Sequence, residues 1–420
     1  MRILWVKAGK ILPVDTGGKI RSYNILRHLA LRHETTFLSY YAGNRDERYE
    51  REISDLLPGA VALHTGGGPT GAIGLGLDYL WHLPSPVPYA VTKFTAPAVR
   101  HRVGSWLSEP RFDVAVCDFL SASQNFPDAA ATPMILFQHN VESALWRRQA
   151  AHEPNPIKRA AFAIEARKMR RYERSALDRF HHVIAVSEHD RDLMAEMADA
   201  SRISVVPTGV DVAHYRTVRG SSGAGTDAQV LFLGSMDWEA NVDGVEHFCR
   251  EIWPRVTAAV PGARFRVVGR NPHPRIQRLA SPSVEITGGV PSVLPHLAAA
   301  TAFVVPLRIG GGTRLKIFEA MAAGRPVIST GVGAEGLDVR HGENILLADA
   351  PGEFADAVVR VLRDRELRSK LESGGASLAA RYDWSHIAGQ FADILAAASR
   401  SPVRAERQPV PAIPASSGPA

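Results

Sequence analysis

The chain has 420 residues, of which 45% are hydrophobic and 22% charged, and this is ordinary globular composition for two domains of ~100–200 residues each. The net charge of +6 fits an anionic ligand, an anionic membrane surface or nucleic acid without choosing among them. Two cysteines, Cys117 and Cys249, exclude a disulfide framework and share no metal spacing, and no apolar run reaches the ~18–20 residues of a membrane span.

Both cysteines lie in apolar stretches and are expected to be buried free thiols in a reducing compartment. The first apolar run stops at Lys7 with no small-residue cleavage site beyond it, so the N-terminus does not read as a signal peptide. A cytoplasmic location is expected.

Along the chain, short apolar runs rich in β-branched residues alternate with helical stretches. The first predicted strand, 2–6, runs into LPVDTGGKIRSYNILRHLA. There Gly17 and Gly18 mark a strand-to-helix turn that could bring backbone N–H groups to an anion, or could be a plain turn. A strand follows at 35–41, then an apolar, aromatic and proline-broken stretch at 71–91, which fits either a loop over an apolar acceptor or an ordinary packed loop. Strands are predicted at 113–117 and 134–140. The second carries FQHNVES, with His139, Asn140 and Glu142 at the carboxyl end of a strand, where open α/β sheets place their sites. A structural histidine satisfied by local backbone is the alternative.

Residues 155–180 carry eight Lys/Arg against three Asp/Glu, a local excess of +5 on a helical pattern of apolar residues that includes Ile157, Ala161, Ile164, Met169, Tyr172 and Leu177. This is either a solvated helix or a basic face for anionic lipid. After a strand at 183–187 and the motif VVPTGVD, the Gly/Ser stretch 220–226 marks a seam. The second half repeats the alternation, with strands at 230–234, 265–269, 284–288, 302–307, 326–330 and 345–348. Continuous apolar strands separated by helices predict buried parallel sheets. A helix at 385–398 follows Trp384, and the last twenty residues, with five prolines and no aromatic residue, read as disordered.

The stretch from Val304 to Thr330 is the richest in chemistry. A strand runs into Gly310, Gly311 and Gly312, then a helix opens near Thr313 with Arg314 and Lys316 in its first turns and Glu319 further in. Free helix N–H groups, glycines and two cations form a cradle for a diphosphate, and Glu319 could accept hydrogen bonds from a ribose diol. No dinucleotide G-x-G-x-x-G follows a strand and no P-loop is present, which disfavours a nicotinamide dehydrogenase. The basic residues gather on one helix without interleaved stacking aromatics, so nucleic acid is not an expected partner.

On these motifs the chain resembles the retaining glycosyltransferases of the GT-B fold, glycosyltransferase family 4 (group 1). The resemblance runs through the Gly-Gly loop, FQHNVES, VIAVSEHD, VVPTGVD, LFLGSMDWEANVDGVEHF, FRVVGRNP, GGGTRLKIFEAMA and GVGAEGLDVRHGENILLAD, and is nearest to a bacterial subgroup associated with exopolysaccharide and cell-surface polysaccharide assembly. It implies an α/β fold of two doubly wound Rossmann-like domains facing a cleft: 1–207 for the acceptor, with helix 385–399 crossing back, 208–384 for the nucleotide-sugar donor, and a disordered tail at 400–420.

It also implies transfer of a sugar from a nucleotide diphospho-sugar to a lipid-linked or polysaccharide acceptor, with retention and without a metal or other cofactor. His139 would lie beside the donor sugar, Gly17 and Gly18 in an acceptor or phosphate loop, and Gly310, Gly311, Gly312, Thr313, Arg314, Lys316 and Glu319 on the donor. Peripheral contact with anionic membrane at the inner face of the plasma membrane is expected. Two departures stand out. The first of the family's two donor-helix glutamates falls at Gly311, and the place of its diphosphate-gripping Arg and Lys reads Ser235-Met236-Asp237-Trp238, leaving Arg314 and Lys316, with Arg308, to substitute. A sugar-nucleotide epimerase or hydrolase on the same fold, and a non-catalytic degenerate scaffold, are the alternatives.

Overall fold

The computed structural model describes residues 1–67, 74, 78–79, 81–153, 155–218, 228–309 and 315–400. The chain divides into two compact units. Among the described residues, one comprises Met1–Val186, Asp190–Val205 and those from Phe391 to Arg400; the other comprises Ser187–His189 and Val206–Gln390.

The first unit is built on a seven-stranded sheet in the order β3-β2-β1-β4-β5-β6-β7, from β1 (Arg2–Ala8), β2 (Glu34–Tyr41), β3 (Val61–His64), β4 (Val114–Asp118), β5 (Met134–Phe137), β6 (His182–Ala185) and β7 (Ile203–Val205). All its neighbouring strands pair in parallel. The central strands β4 and β5 are buried at every position, the pattern of a sheet covered on both faces. The second unit holds a six-stranded sheet, β10-β9-β8-β11-β12-β13, from β8 (Gln229–Leu233), β9 (Arg264–Val268), β10 (Val284–Gly288), β11 (Ala302–Val305), β12 (Val327–Ser329) and β13 (Leu346–Leu347). It too is parallel throughout. Its core carries Phe232, Phe248, Phe265, Phe303, Phe318 and Phe354, all at most 1% exposed.

Each sheet reverses its strand order once, between β1 and β4 in the first and between β8 and β11 in the second. In open α/β sheets ligands bind beyond the strands' carboxyl ends at such a reversal.

Several boundaries differ from the sequence reading. The strand expected over 134–140 stops at Phe137; the Gln138 N–H still bonds the carbonyl of Ile184 on β6, while its side chain takes a buried partner described below. Strands β3 and β7 were not predicted; β3 has no fully buried residue and β7 has three residues in all. Cys117 is buried, but Cys249 is only partly so, sitting in a helical stretch at the rim of the second core rather than within it.

The basic segment is one helix, Pro156–Arg179, capped by Asn155, whose side chain accepts from the N–H groups of Ile157 and Lys158. Met169 and Leu177 are buried on it, whereas Ile157 is 80% and Ile164 41% exposed, so the expected apolar face is split between core and surface. The C-terminal helix spans Trp384–Arg400. Gly209, in VVPTGVD, lets the chain pass Trp384: a Cβ there would lie 2.6 Å from the indole. The expected seam at 220–226 and the tail from 401 lie outside the described residues, as does most of 71–77.

Candidate active site

Parallel register places Lys7 at the end of β1 beside Asp118 at the end of β4. The Lys7 Nζ lies 3.1 Å from Asp118 Oδ2 and 3.2 Å from the hydroxyl of Ser22. The indole of Trp5 donates to the same carboxylate oxygen at 3.0 Å. His139, two residues beyond β5, brings Nε2 to 2.9 Å from Asp118 Oδ1, a close contact off the line of a good hydrogen bond. Its Nδ1 is buried with no hydrogen-bond partner.

Burial works against charge on both groups. It holds His139 down to about 4, against the opposing pull of Asp118, so the imidazole is neutral at neutral pH. Burial also pushes the Asp118 carboxyl up, but Lys7, His139 and Ser22 together outweigh it and keep it ionised, well below the usual carboxylate range.

Aromatic rings fix the imidazole where hydrogen bonds do not. Phe119 stacks on it, with ring centroids 3.8 Å apart and 14° between planes, and Phe137 leans on it at 4.2 Å. Phe119 adopts a positive φ of 75°, rare for a bulky side chain. Gly18 is the reason its ring fits: a Cβ there would lie 2.7 Å from Phe119 Cζ and 3.7 Å from His139 Nδ1. The structure therefore brings Gly18 and His139 together, at the start of helix Gly17–Ala30, whose first turn holds no acidic residue. A Cβ at Gly17 would meet nothing within 4 Å.

The rest of FQHNVES faces a carboxylate hidden in the basic helix. Glu173, fully buried, accepts from Gln138 Nε2 (3.1 Å), the N–H groups of Glu142 (2.9 Å) and Ser143 (3.1 Å), and the Ser143 hydroxyl (2.5 Å). It thus caps helix Glu142–His152 from outside. Burial, with the nearby Glu173 charge, raises Glu142 to about 7. Between these helices and residues Leu193–Met197 lies an apolar hollow of about 270 Å³. Ala144, Ala163 and Leu193 line it and Arg147, Arg167 and Arg170 stand around it.

In the second unit, Lys316 follows β11 and Asn241 follows β8, so the pair spans the reversal of that sheet. Lys316 Nζ donates to Asn241 Oδ1 at 2.9 Å and sits 4.4 Å above the ring of Phe232. Asn241 Nδ2 donates to the carbonyl of Ser235 at 2.8 Å. Gly234 is required here, since its Cβ would lie 2.7 Å from Asn241 Nδ2 and 2.8 Å from Lys316 Nζ.

Glu319, three residues on in helix Leu315–Ala322, is bonded to the Tyr215 hydroxyl, and burial raises its carboxyl. Arg308 is already committed: its guanidinium grips Asp243 at 2.5 and 3.1 Å, so it is not an open cation for a ligand as the sequence reading had it. Gly310, Gly311, Gly312, Thr313 and Arg314 lie outside the described residues.

Lys7, Asp118, Phe119, Tyr215, Asn241 and Arg270 were not singled out in the sequence. The legible signal was a charged residue ending an apolar strand (Lys7, Asp118) or directly following one (Arg270). Among the described residues no group of His, Cys, Asp and Glu could hold a metal ion, and no helix is long and apolar enough to cross a membrane.

Two family models match the chain: Glycosyltransferase Family 4 over residues 16–214 and Glycosyl transferases group 1 over residues 227–364. Among curated proteins, a phosphatidyl-myo-inositol mannosyltransferase of Mycobacterium leprae is 26% identical over 325 residues, covering 73% of this chain and 80% of that protein. A D-inositol 3-phosphate glycosyltransferase of a Nocardioides species is 30% identical over 228 residues, covering 47% and 49%. Among solved structures, HepE from Anabaena in complex with UDP and glucose aligns with TM-score 0.61 at 17% identity over 94% of this chain and 99% of that one. Sucrose-phosphate synthase from Thermosynechococcus elongatus aligns with TM-score 0.64 at 16% identity over 94% and 98%. At these identities the structural likeness is one of fold, two Rossmann-like domains of the GT-B type.

Proposed function

The chain belongs to the group 1, family 4 glycosyltransferases, and from that premise we propose that it moves a sugar from a nucleotide diphospho-sugar to a lipid-linked or polysaccharide acceptor, with retention of anomeric configuration and without a metal. The observation that carries the donor half is the Lys316–Asn241–Ser235 chain across the strand-order reversal of the second sheet, with Glu319 one turn further along the helix. A cation, oriented amide and backbone groups gathered there suit a diphosphate, and a carboxylate held by Tyr215 suits a ribose diol. Fixed cations neutralise leaving-group charge as it develops, which is the role a metal would otherwise fill.

In the first unit, His139 is the group nearest to reaction chemistry. Held neutral between Asp118 and two aromatic rings, it could, once the covering Phe119 ring moves aside, offer a hydrogen bond to a sugar hydroxyl without placing a full positive charge next to an oxocarbenium-like centre. The likeness to enzymes named for mannosyl transfer to phosphatidylinositol supports a lipid-linked acceptor over a free polysaccharide. So does the apolar hollow with its three arginines, and so do Ile157 and Ile164, exposed on the cationic helix. Peripheral docking of that helix on anionic membrane belongs to the same proposal.

Titration of the purified chain with UDP-, GDP- and ADP-sugars, followed by release of nucleoside diphosphate in the presence of membrane lipid extract, tests the proposal. Sugar appearing in the lipid fraction is the expected result. Sugar released only to water would mean a hydrolase, interconversion of the nucleotide sugar without release would mean an epimerase, and no turnover with any donor would leave a scaffold.

A further inference from the structure

The loop after β8, where the family keeps an Arg and a Lys, has no cation of its own in this chain. A guanidinium nevertheless reaches it from the next strand. Arg270, two residues beyond β9, donates from Nε to the hydroxyl of Ser235 at 3.0 Å. That hydroxyl in turn donates to Asp237 at 2.6 Å, and Asp237 is held from the other side by Asn271 at 3.2 Å. Ser235 therefore joins two cations: its hydroxyl takes Arg270, and its carbonyl takes Asn241, which holds Lys316.

Two further observations make this a built arrangement. The ends of β8 and β9 meet backbone to backbone, since a Cβ on Gly269 would lie 1.7 Å from the carbonyl oxygen of Gly234, so Arg270 starts from a fixed point beside the loop. And its terminal nitrogens are not spent. Arg308 is bidentate on Asp243, Arg275 is held by Glu239 and Glu246, and Arg266 is held by Glu285. Arg270 uses Nε alone, and neither terminal nitrogen bonds a described residue. An exposed guanidinium anchored at one edge, with its outer nitrogens open, is the form that takes a phosphate with two parallel hydrogen bonds.

We propose that Arg270, aimed by Ser235, is a diphosphate-binding residue of this chain, supplying from the end of β9 the cation that the loop after β8 lacks. This rests on the nucleotide-sugar reading above. Lys316 and Arg270 then grip the diphosphate from the two sides of Ser235. Arg270, with Lys316, separates a diphosphate from a bare nucleoside, while Glu319 serves both alike.

The test is calorimetric titration of GDP, UDP and ADP, and of the matching nucleosides, into wild type, Arg270→Ala, Arg270→Lys, Ser235→Ala, Lys316→Ala and Glu319→Ala, at two salt concentrations. Arg270→Ala should weaken the preferred diphosphate roughly tenfold to thirtyfold and leave the nucleoside unchanged. Its remaining affinity should depend less on salt, as expected when a charge contact is removed. Arg270→Lys should recover part of the loss, because it keeps the charge and loses the fork. Ser235→Ala should cost less than Arg270→Ala and should add little to it in the double variant, since Ser235 acts through Arg270. Arg270 is exposed, so the variants should melt with wild type, and a shared melting midpoint certifies that the fold is intact. Wild-type diphosphate affinity in Arg270→Ala, with losses in Lys316→Ala and Glu319→Ala, would overturn the assignment of Arg270 and leave the donor site standing. A wild-type protein that binds none of the three diphosphates would overturn both.

Discussion

The ring of Phe119 lies flat on the imidazole of His139, 3.8 Å from centroid to centroid, and leaves that histidine 1% exposed. A side chain so covered cannot touch a sugar until something moves. The cover itself is held in a backbone conformation that costs about 1–3 kcal/mol for a residue with a Cβ. Diethylpyrocarbonate, which carbethoxylates neutral imidazole, reads out this cover directly. Peptide mapping should find His139 slow to react in wild type, against the exposed His386 as internal reference, and several-fold faster in Phe119→Ala. An unchanged rate would mean that Phe119 is not what shields it.

Two groups three residues apart pull the pH dependence of stability in opposite directions. His139 has a folded value of about 4, below the ordinary 6.5, so its contribution is whole above pH 6.5 and is lost as pH falls towards 4, where the unfolded chain takes up the proton first. Glu142 has a folded value of about 7, above the ordinary 4.5, so its contribution is whole below pH 4.5 and is lost as pH rises through 7. Glu142→Gln should therefore gain up to about 3 kcal/mol relative to wild type at pH 8 and nothing at pH 4.5. His139→Gln should flatten the acid side of the curve instead. Urea midpoints across pH 4–8 check both.

On the donor side, a charge-assisted hydrogen bond from Glu319 is typically worth ~1.5–3 kcal/mol, so Glu319→Ala should weaken a nucleoside diphosphate roughly thirtyfold. Tyr215→Phe removes the hydroxyl bonded to that carboxylate while leaving the carboxylate in place. It should cost only a few-fold, equally for nucleoside and nucleoside diphosphate. A larger loss for the diphosphate would mean that Tyr215 acts on the phosphates.

If the helix Pro156–Arg179 docks on anionic lipid, each nearby cation contributes on the order of 1 kcal/mol. Reversing Arg167, Arg170 and Arg171 together should then release the protein from phosphatidylserine-containing vesicles in a sedimentation assay. Wild type should be released likewise by high salt. Binding that ignores both treatments would leave the helix a solvated face.

The same helix has an internal duty that can be separated from that outer one. Glu173→Ala strips the acceptor from four donors, and even two of them left dry would cost roughly 2–6 kcal/mol. A large drop in the urea midpoint is expected, with Glu173→Gln falling less because the amide keeps one acceptor oxygen. A surface glutamate would give neither.

The parallel sheets were legible because buried strands announce themselves as unbroken apolar runs, and those runs located the strands to within a residue or two at most ends. Strand β3, without a fully buried residue, has no such run to read. His139, Lys316 and Glu319 could be named because they stand in segments, a strand-end loop and the helix after a glycine run, whose composition is already unusual. Phe119 and Tyr215 carried no such signal, and Asp118 and Arg270 only that of a charge at a strand end, because their meaning lies in a partner supplied by a strand or helix distant along the chain. Which residue meets which is decided by strand order and register, as when Lys7 falls opposite Asp118. Glu173 was the hardest to see: within a stretch of eight cations, nothing in composition tells a buried carboxylate from a surface one.

The packing of Phe391 sets an order on how this protein can be made. Its ring lies 5.4 Å from that of Trp5 and 5.0 Å from that of Phe137, and all three are completely buried. Trp5 is also the indole that holds Asp118. A nascent chain therefore carries the first half of its core, with Trp5 lacking one of its covers, past the ribosome until residue 391 has been synthesised, by which time the second sheet is already out of the tunnel. A message broken between codons 347 and 391 would yield a chain with every strand of both sheets but with Trp5, the indole that holds Asp118, bare of its Phe391 cover.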